Sequence, residues 1–374
     1  MKKISAYIIA AMLIVGIAFN AFALEKIEDI AKLNGKKIRK SYSNGLLVDA
    51  KIEVSMNPND KIAVYKAKLV DFTKFDFSDI INSGLKNKTK EELFEEDNPN
   101  RFALNYNFKN GESFISRNDG SMILSGDISG AFSQTHLNYD GDLHSGIYNE
   151  NEDVLPFGTK EEALKKSLEK ISFLKLPLQA KPKYSFGISQ EWAEASLRDF
   201  DKDTGTLKKS TGLLKHIKGE QGMFCFGFDF QYDGIPTIEI TQELLSNGKY
   251  IYSGDFRIIY AKNGIKRIDA VGTYEPTEKI KEYREIITPQ EVIQKFYAST
   301  KFKPLVETNR VYKIALIYVP VPLDDIRKDF VLTPVWDVRF TDKETKIEDF
   351  VYPRTDDGPI YHYFFDVETG ERIA

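Results

Sequence analysis

The sequence predicts an α+β protein in which antiparallel β-sheets pack against a few helices. Three observations lead to this fold class. Apolar and polar residues alternate over many short segments, which is the pattern of half-buried strands. Asn-Gly and Asp-Gly dipeptides, which favour tight hairpin turns, separate several of these segments. Two Thr-led capping boxes open stretches with helical spacing of apolar residues.

The first residues have the three parts of a secretory signal peptide. A basic start, MKK, is followed by an apolar run from Ile8 to Ala23 that ends in the small-x-small sequence Ala21-Phe22-Ala23. This run is shorter than the roughly 20 apolar residues of a spanning helix. We therefore expect a signal peptide over 1–23, a secreted or extracytoplasmic protein and no transmembrane span after cleavage. An uncleaved N-terminal membrane anchor is the alternative.

Composition excludes several classes of protein. The formal net charge of −4 gives no basic surface for nucleic acid. Cys225 is the single cysteine, so neither an internal disulfide nor a cysteine-based zinc site is expected. The length predicts two domains after the signal peptide, a β-rich one over 24–150 and an α+β one over 151–374. The polar loop predicted over 138–153 would mark the boundary.

The predicted N-terminal domain is made of strands. Residues 48–56 alternate between apolar and polar, and residues 101–126 read as a meander that turns at Asn110-Gly111 and Asp119-Gly120. Between these groups, the charged segment KNKTKEELFEEDNP (86–99) is expected to be a short exposed helix or loop.

The predicted C-terminal domain places each helix before a set of strands. Thr159 and Thr288 begin capping boxes, and Pro177 is expected to end the first helix. The strands that follow include MFCFGFDFQYDGIP, a hairpin that turns at Asn263-Gly264, and the C-terminal segments VYKIALIYVPVP, LTPVWDVRF and IYHYFFDVETGERI.

The acidic segment from Asp199 to Asp203 suggests a calcium-binding loop at first sight. Asp199, Asp201 and Asp203 alternate before Gly205, but the spacing lacks the glycine and glutamate that an EF-hand loop requires. The motif Phe-Asp-x-acid-Thr-Gly occurs here and again over 365–370. We interpret both copies as turns in which the Asp side chain accepts backbone N–H groups, with weak calcium binding as the alternative.

The C-terminal segments PVWDVRF and YFFDVETGERI resemble the end of YycH/YycI-type extracytoplasmic regulators and of PepSY-like modules. The order Gly-Ile-Pro (234–236), Asn-Gly-Ile (263–265) and Pro-Val-Trp resembles uncharacterised secreted proteins and lipoproteins of clostridial gut bacteria. The resemblance covers roughly residues 222–374. It implies a helix followed by antiparallel strands, with duplication of this unit left open, and a non-enzymatic role in regulating partner proteins.

The candidate site residues form two groups. His136, Asp140, Asp142 and His144 have the composition of a metal site, and the alternative is an Asp-Gly turn in a linker with exposed histidines. Aromatic rows could hold a glycan or an extended peptide. We expect the row from Phe224 to Tyr232 to be core, which leaves these candidates for binding: Tyr250, Tyr252, Tyr260 and Trp336, the last also a candidate core anchor.

The sequence contains no zincin, nucleophile-elbow, Walker or dinucleotide-binding motif, so we assign no catalytic residue and no cofactor. The leading hypothesis is an exported, non-catalytic binding or regulatory protein of the bacterial cell envelope. It would engage a protein or peptide partner through a sheet face or edge. The alternative is a carboxylate-dependent hydrolase or a glycan-binding protein that acts on cell-wall or dietary polymer.

Overall fold

A computed structural model of the chain describes residues 24–43, 45–57, 60–81, 83–93, 101–144, 151–201, 206–209, 211–238, 243–244, 250–251, 254–300, 310–323, 329–341 and 360–373. Residues 137–144, 198–201, 206–209, 243–244, 250–251, 300 and 360 are described by their backbone. The predicted signal peptide over 1–23 lies outside the described residues. None of the helices in these ranges has the length and apolar content that a membrane crossing requires.

The helices of the described ranges are α1 (Ile27–Ala31), α2 (Asp127–His144), α3 (Lys160–Ile171), α4 (Gln190–Ser196), α5 (Thr211–Ile217) and α6 (Pro289–Thr300), with single 3₁₀ turns at Phe72–Lys74 and Ser172–Leu174.

The strands are β1 (Leu24–Lys26), β2 (Lys37–Ser41), β3 (Leu47–Glu53), β4 (Ile62–Leu69), β5 (Leu85–Glu92), β6 (Phe102–Phe108), β7 (Ser113–Arg117), β8 (Met122–Ser125), β9 (Val154–Leu155), β10 (Gly158–Thr159), β11 (Tyr184–Ile188), β12 (Arg198–Asp201) and β13 (Thr206–Lys209). They continue with β14 (Met223–Phe228), β15 (Gln231–Tyr232), β16 (Ile235–Pro236), β17 (Glu243–Leu244), β18 (Tyr250–Ile251), β19 (Asp255–Ala261), β20 (Gly264–Val271), β21 (Tyr274–Tyr283), β22 (Glu285–Ile287), β23 (Arg310–Pro322), β24 (Asp329–Thr341) and β25 (Ile360–Asp366).

An eight-stranded sheet has the order β11-β14-β19-β20-β8-β7-β6-β5. Each neighbouring pair is antiparallel. One face of the sheet packs against α3 around the buried phenylalanine row that begins at Phe224, as the sequence predicts. The other face packs, over its β11–β14–β19 side, against α2, α4 and α5. The sheet therefore carries apolar cores on both faces at one end.

A seven-stranded sheet has the order β2-β3-β23-β24-β4-β21, and β25 pairs with the second half of β24. The long hairpin β23–β24 lies at its centre, where Trp336 is fully buried and its indole N–H donates to the carbonyl of Ile287 at 3.0 Å. The pair β3–β23 is parallel, whereas the other named strand pairs of this sheet are antiparallel. Helices α1 and α6 cover one face.

Most of the predicted local structure is confirmed, as is the α+β class with mostly antiparallel sheets. The dipeptides at Asn110, Asp119 and Asn263 form the turns of the hairpins β6–β7, β7–β8 and β19–β20. Both capping boxes are present: Thr159 caps α3, and Thr288 and Glu291 exchange hydrogen bonds at the start of α6. At the second Phe-Asp-x-acid-Thr-Gly motif, Asp366 accepts the N–H groups of residues 368 and 369.

Two local predictions are wrong. The segment that begins at Lys86, expected to be a helix or loop, forms strand β5, because an edge strand exposed on both faces needs no apolar alternation. The polar loop expected from Asn138 is helical as far as His144. The predicted boundary at residue 150 does not separate the two sheets, since each sheet takes strands from both sides of it. Residues 202–205 of the first acidic turn lie outside the described residues.

Three connections meet where the two sheets adjoin, and we call this point the junction of Val70, Gly120 and Thr273. Val70 follows β4 of the seven-stranded sheet, Gly120 lies in the β7–β8 turn of the eight-stranded sheet, and Thr273 links β20 of one sheet to β21 of the other. Their backbones form a closed ring of hydrogen bonds: Val70 N–H to Thr273 O at 2.9 Å, Thr273 N–H to Gly120 O at 3.1 Å, and Gly120 N–H to Val70 O at 3.0 Å.

Glycine is required at the centre of this junction. Gly120 has φ +74°, and a Cβ atom there would lie 2.7 Å from the carbonyl oxygen of Thr273 and 2.8 Å from the side chain of Leu69. Gly111 has a similar φ of +89° in the preceding hairpin, but a Cβ atom there would meet nothing within 4 Å. The two glycines thus share a backbone conformation and differ in surroundings.

We predict that Gly120→Ala lowers the free energy of unfolding by roughly 3–5 kcal/mol, because overpacking against fixed backbone adds to the cost of a positive φ. Gly111→Ala is the matched control and should cost about 1–2 kcal/mol, from backbone strain alone. Urea unfolding of both variants measures the difference. Equal losses for the two variants would contradict the assigned role of the junction.

Candidate binding site

Strand β5 is an open edge of the eight-stranded sheet. All eight of its residues are exposed, and within the described ranges it pairs with β6 alone. A strand edge of this kind presents a row of backbone donors and acceptors to solvent, which is the template used when a protein adds an extended segment to its sheet.

The hydrogen-bond pattern shows which backbone groups of β5 face outward. Leu93 N–H donates to Arg101 O at 2.9 Å, and the register with β6 continues unbroken from Asn87 to Glu92. Because the direction of the backbone groups alternates along a strand, Thr89 and Glu91 direct theirs toward β6. Lys88 and Lys90 therefore direct their N–H and C=O groups to the open side.

The side chains of β5 give this edge a positive face. Lys86, Lys88 and Lys90 alternate along the strand, and the last two lie over aromatic rings of β6, with Nζ 4.7 Å from the ring centre of Tyr106 and 4.4 Å from that of Phe102. These contacts hold two ammonium groups on one face of the β5–β6 pair. On the opposite face, Glu91 accepts a hydrogen bond from Asn105 Nδ2 at 3.1 Å. The lysine-bearing face of the edge strand therefore carries positive charge.

Other sheet edges are closed or irregular. The segment 151–152 bonds to the outer side of β11 through Asn151 and Glu152, which contact Gly187. β21 contains Pro276 and has two register shifts against β4, features that blunt an edge. The segment 371–373 bonds to the backbone of β25. β2 is regular but only five residues long. The register of β5 shifts between Leu85 and Asn87 and is regular from Asn87 to Glu92, which makes it the longest regular open edge in the described part of the chain.

The predicted aromatic residues do not form one surface. Trp336 is fully buried in the seven-stranded sheet, so its prediction as a partner-binding residue is wrong and its alternative as a core anchor holds. Tyr252 and the side chain of Tyr250 lie outside what the structure describes. Tyr260 is half-buried at the end of β19 and lines a pocket beside α3.

The predicted metal residues lie on helix α2 rather than in an Asp-Gly turn. His136 is 2% exposed, so it is not a solvated linker histidine. The side chains of Asp140, Asp142 and His144 lie outside the described set. Among the described side chains, no group of three or more His, Cys, Asp or Glu residues is arranged to hold a metal ion.

His136 is a buried neutral histidine. Its ring stacks on Phe186 with centroids 5.4 Å apart, and neither ring nitrogen has a hydrogen-bond partner. Burial, together with the positive charge of Arg257, lowers the pKa of His136 to about 3. Protonating it inside this apolar cluster would place an unpaired charge there, so the fold favours the neutral ring.

The buried carboxylates that the sequence did not single out have structural partners. Glu112 accepts the backbone N–H groups of Ile128 and Ser129 at the start of α2. Asp229 pairs with Lys183 at 3.4 Å. Both carboxylates are therefore held by contacts within the fold.

Asp337 belongs to a buried ionic cluster at the centre of the seven-stranded sheet. It accepts from Arg339 Nε at 2.6 Å, and its other oxygen lies 2.9 Å from His362 Nδ1. Burial alone would raise the pKa of Asp337, but the adjacent charges and hydrogen bonds of His362 and Arg339 lower it below its usual range. Both oxygens are occupied, so this cluster ties β24 to β25 and offers no free catalytic group.

No protein-family model matches the chain, and no curated protein matches it. The fold is similar to that of an uncharacterized protein from Eubacterium rectale ATCC 33656, whose crystal structure superposes with a TM-score of 0.61. The match covers 94% of this chain and 99% of that chain at 15% sequence identity. Similarity at this level shows a shared fold alone, and the resemblance to YycH/YycI-type and PepSY-like families stays a prediction.

The open edge of β5 was missed because its composition is untypical of strands. Lys, Asn and Glu have low strand propensity, and β5 has no apolar face to reveal a period of two. The signal that was present is the alternation of lysine with Asn87 and Thr89 beside a predicted meander. Charged side chains, especially lysine, are common on edge strands.

The pKa of His136 predicts a pH-dependent stability. A folded pKa of about 3, below the ordinary value of 6.5, means that the unfolded chain binds more protons between these values. The free energy of unfolding should therefore fall by about 1.4 kcal/mol per pH unit through this histidine as the pH drops below 6.5. In His136→Phe this contribution should vanish, which urea unfolding between about pH 4.5 and pH 7 measures.

His216, which is only partly buried, provides the control for this measurement. His216→Phe should retain most of the acid-dependent loss of stability. An unchanged pH dependence in His136→Phe would contradict the assignment of a buried neutral ring.

Proposed function

We propose that this chain is an exported, non-catalytic binding protein of the bacterial cell envelope that takes up an acidic, extended segment of a protein or peptide partner. The observation that carries the proposal is the open edge of β5, with the backbone groups of Lys88 and Lys90 directed outward. The incoming segment would extend the sheet beyond β5, with main-chain hydrogen bonds supplying affinity.

Charge supports an acidic partner. The ammonium groups of Lys88 and Lys90 are positioned by rings of β6, and alternate residues of an added strand would meet them on the same face of the sheet. Opposite charges across neighbouring strands contribute roughly 0.2–1 kcal/mol per pair to the free energy of strand pairing. They would therefore affect specificity for the partner more than affinity.

The composition of residues 1–23 supports export. Expressed with this segment in a bacterial host, the protein should be recovered outside the cytoplasm with Leu24 at its N-terminus. Mass spectrometry of each cell fraction identifies where the protein is and which residue is at its N-terminus. A chain that keeps residues 1–23 in the membrane fraction would favour the anchored alternative, and one that stays in the cytoplasm would contradict export.

The edge is tested by a substitution that removes one outward donor and leaves the ladder to β6 intact. Lys90→Pro deletes the outward N–H and places the proline ring in the path of an added strand. It should weaken binding of a labelled peptide of alternating Glu and Val by about tenfold or more, measured by fluorescence anisotropy.

Lys90→Ala is the matched control, because it removes the same charge and keeps the N–H. It should weaken binding only about two- to fivefold, and a peptide of alternating Lys and Val should bind neither variant. Both variants should unfold at similar temperatures, since the β5–β6 ladder is unaffected. Equal affinities for Lys90→Pro and Lys90→Ala would show that the edge does not pair with the peptide.

A further inference from the structure

A pocket of about 410 Å³ lies between helix α3 and the β19–β20 hairpin, and none of its lining residues belongs to β5. Its volume falls in the range of small-molecule sites. Tyr260 and three isoleucines, Ile80, Ile81 and Ile265, supply its apolar lining. A ligand of this pocket therefore needs an apolar or aromatic body.

An irregularity in the sheet shapes the floor of the pocket. Tyr260 and Ile265 are cross-strand partners, and the register between β19 and β20 shifts between Ile259 and Tyr260. A shift of this kind re-aims the side chains next to it and is common beside binding sites. The ring of Tyr260 lies 6.4 Å from that of Phe157, and its hydroxyl group makes no hydrogen bond to a described residue.

The walls of the pocket are held in place before any ligand arrives. On one side, Glu220 fixes the β19–β20 turn by accepting from Asn263 Nδ2 at 3.1 Å and from Lys266 Nζ at 2.7 Å. On the other side, α3 is fixed by its capping box and by burial of Ala163 and Ile171 in the core. A preformed cavity avoids part of the entropic cost of binding.

The rim of the pocket carries a local excess of positive charge. Lys166 and Lys170 lie one turn apart on α3, and neither forms an ion pair with a described residue. Glu169 also lines the pocket, but Lys165 lies 4.0 Å from its carboxylate. Like charges four residues apart on a helix repel each other, so an anion between the two lysines would relieve this repulsion.

We infer that this pocket binds a carboxylate attached to an apolar or aromatic body. The carboxylate would lie between Lys166 and Lys170, and the body would pack on Tyr260 and the isoleucines. Two sources share this chemistry: a free aromatic or aliphatic acid, and the C-terminal residue of a peptide that ends in an apolar side chain. The inference does not depend on the β5 edge.

The experiment is an NMR titration in which the amides of Gly264 and Ile265 report the site. The probes are phenylpropionate, its neutral amide, and an acetylated Gly-Phe dipeptide with either a free or an amidated C-terminus. We expect saturable binding of the acids and at least tenfold weaker binding of the amides. Binding of the dipeptide acid more tightly than phenylpropionate identifies a peptide C-terminus as the source, and the reverse order identifies a free acid.

Substitutions test which lysines contact the carboxylate of the ligand. Lys166→Gln and Lys170→Gln should each weaken binding of the acids about fivefold, whereas Lys37→Gln, the same change at an exposed position of β2 outside the pocket, should have less than about a twofold effect. Tyr260→Ala should weaken it about tenfold. Lys90→Pro should leave the titration unchanged, which separates this site from the β5 edge.

Three results would overturn the inference: no saturable shift with either acid, equal affinity for the acids and their amides, or an equal loss in Lys37→Gln and Lys166→Gln. Thermal unfolding of each variant confirms that it is folded. For Tyr260, Tyr260→Phe provides a second variant that keeps the ring and should retain most of the affinity.

Discussion

The ring of backbone hydrogen bonds among Val70, Gly120 and Thr273 is the constraint on which the arrangement of the two sheets depends. The chain passes from the eight-stranded sheet to the seven-stranded sheet within two residues, Gly272 and Thr273, between β20 and β21. The ring fixes that passage to a turn of one sheet and to the end of a strand of the other. The relative position of the two cores therefore depends on a site where only glycine fits at residue 120.

Both proposed binding sites lie where the regular pairing of the eight-stranded sheet stops. At β5 the ladder ends and leaves backbone groups unpaired; at Tyr260 the register shifts and opens space beside α3. Inside the fold, the buried carboxylate of Asp337 has structural partners in Arg339 and His362. Its ion pairs stabilise the seven-stranded sheet, whereas Lys166 and Lys170 lie beside a pocket of the eight-stranded sheet.

Much of the fold could be predicted from short-range patterns. Turn dipeptides, capping boxes and the alternation around Ile52 depend on neighbouring residues, and each identified its element correctly. The pairing of β3 with β23 and the mixing of both halves of the chain in each sheet depend on distant contacts that one sequence does not reveal. Tyr260 was identified from an aromatic row, but Lys166 and Lys170 join it only through the packing of α3 on the sheet. Trp336 was predicted as a binding residue and as a core anchor, because an aromatic residue in a strand suits a core as well as a surface.

The parallel pairing of β3 with β23 has a consequence for the order of folding. Leu47 pairs with Arg310, and β4 pairs with both β21 and β24. The pairing of β3 and β4 is therefore complete only after strands much later in the chain have been synthesised. A sheet with such non-local contacts folds slowly, because long loops must close before their contacts form. If the chain crosses a membrane from its N-terminus, β2, β3 and β4 emerge early; β2 can pair with β3, but β4 and the other edge of β3 lack their partners during the crossing. Their apolar faces are then exposed to aggregation, so the early chain would need a holding chaperone.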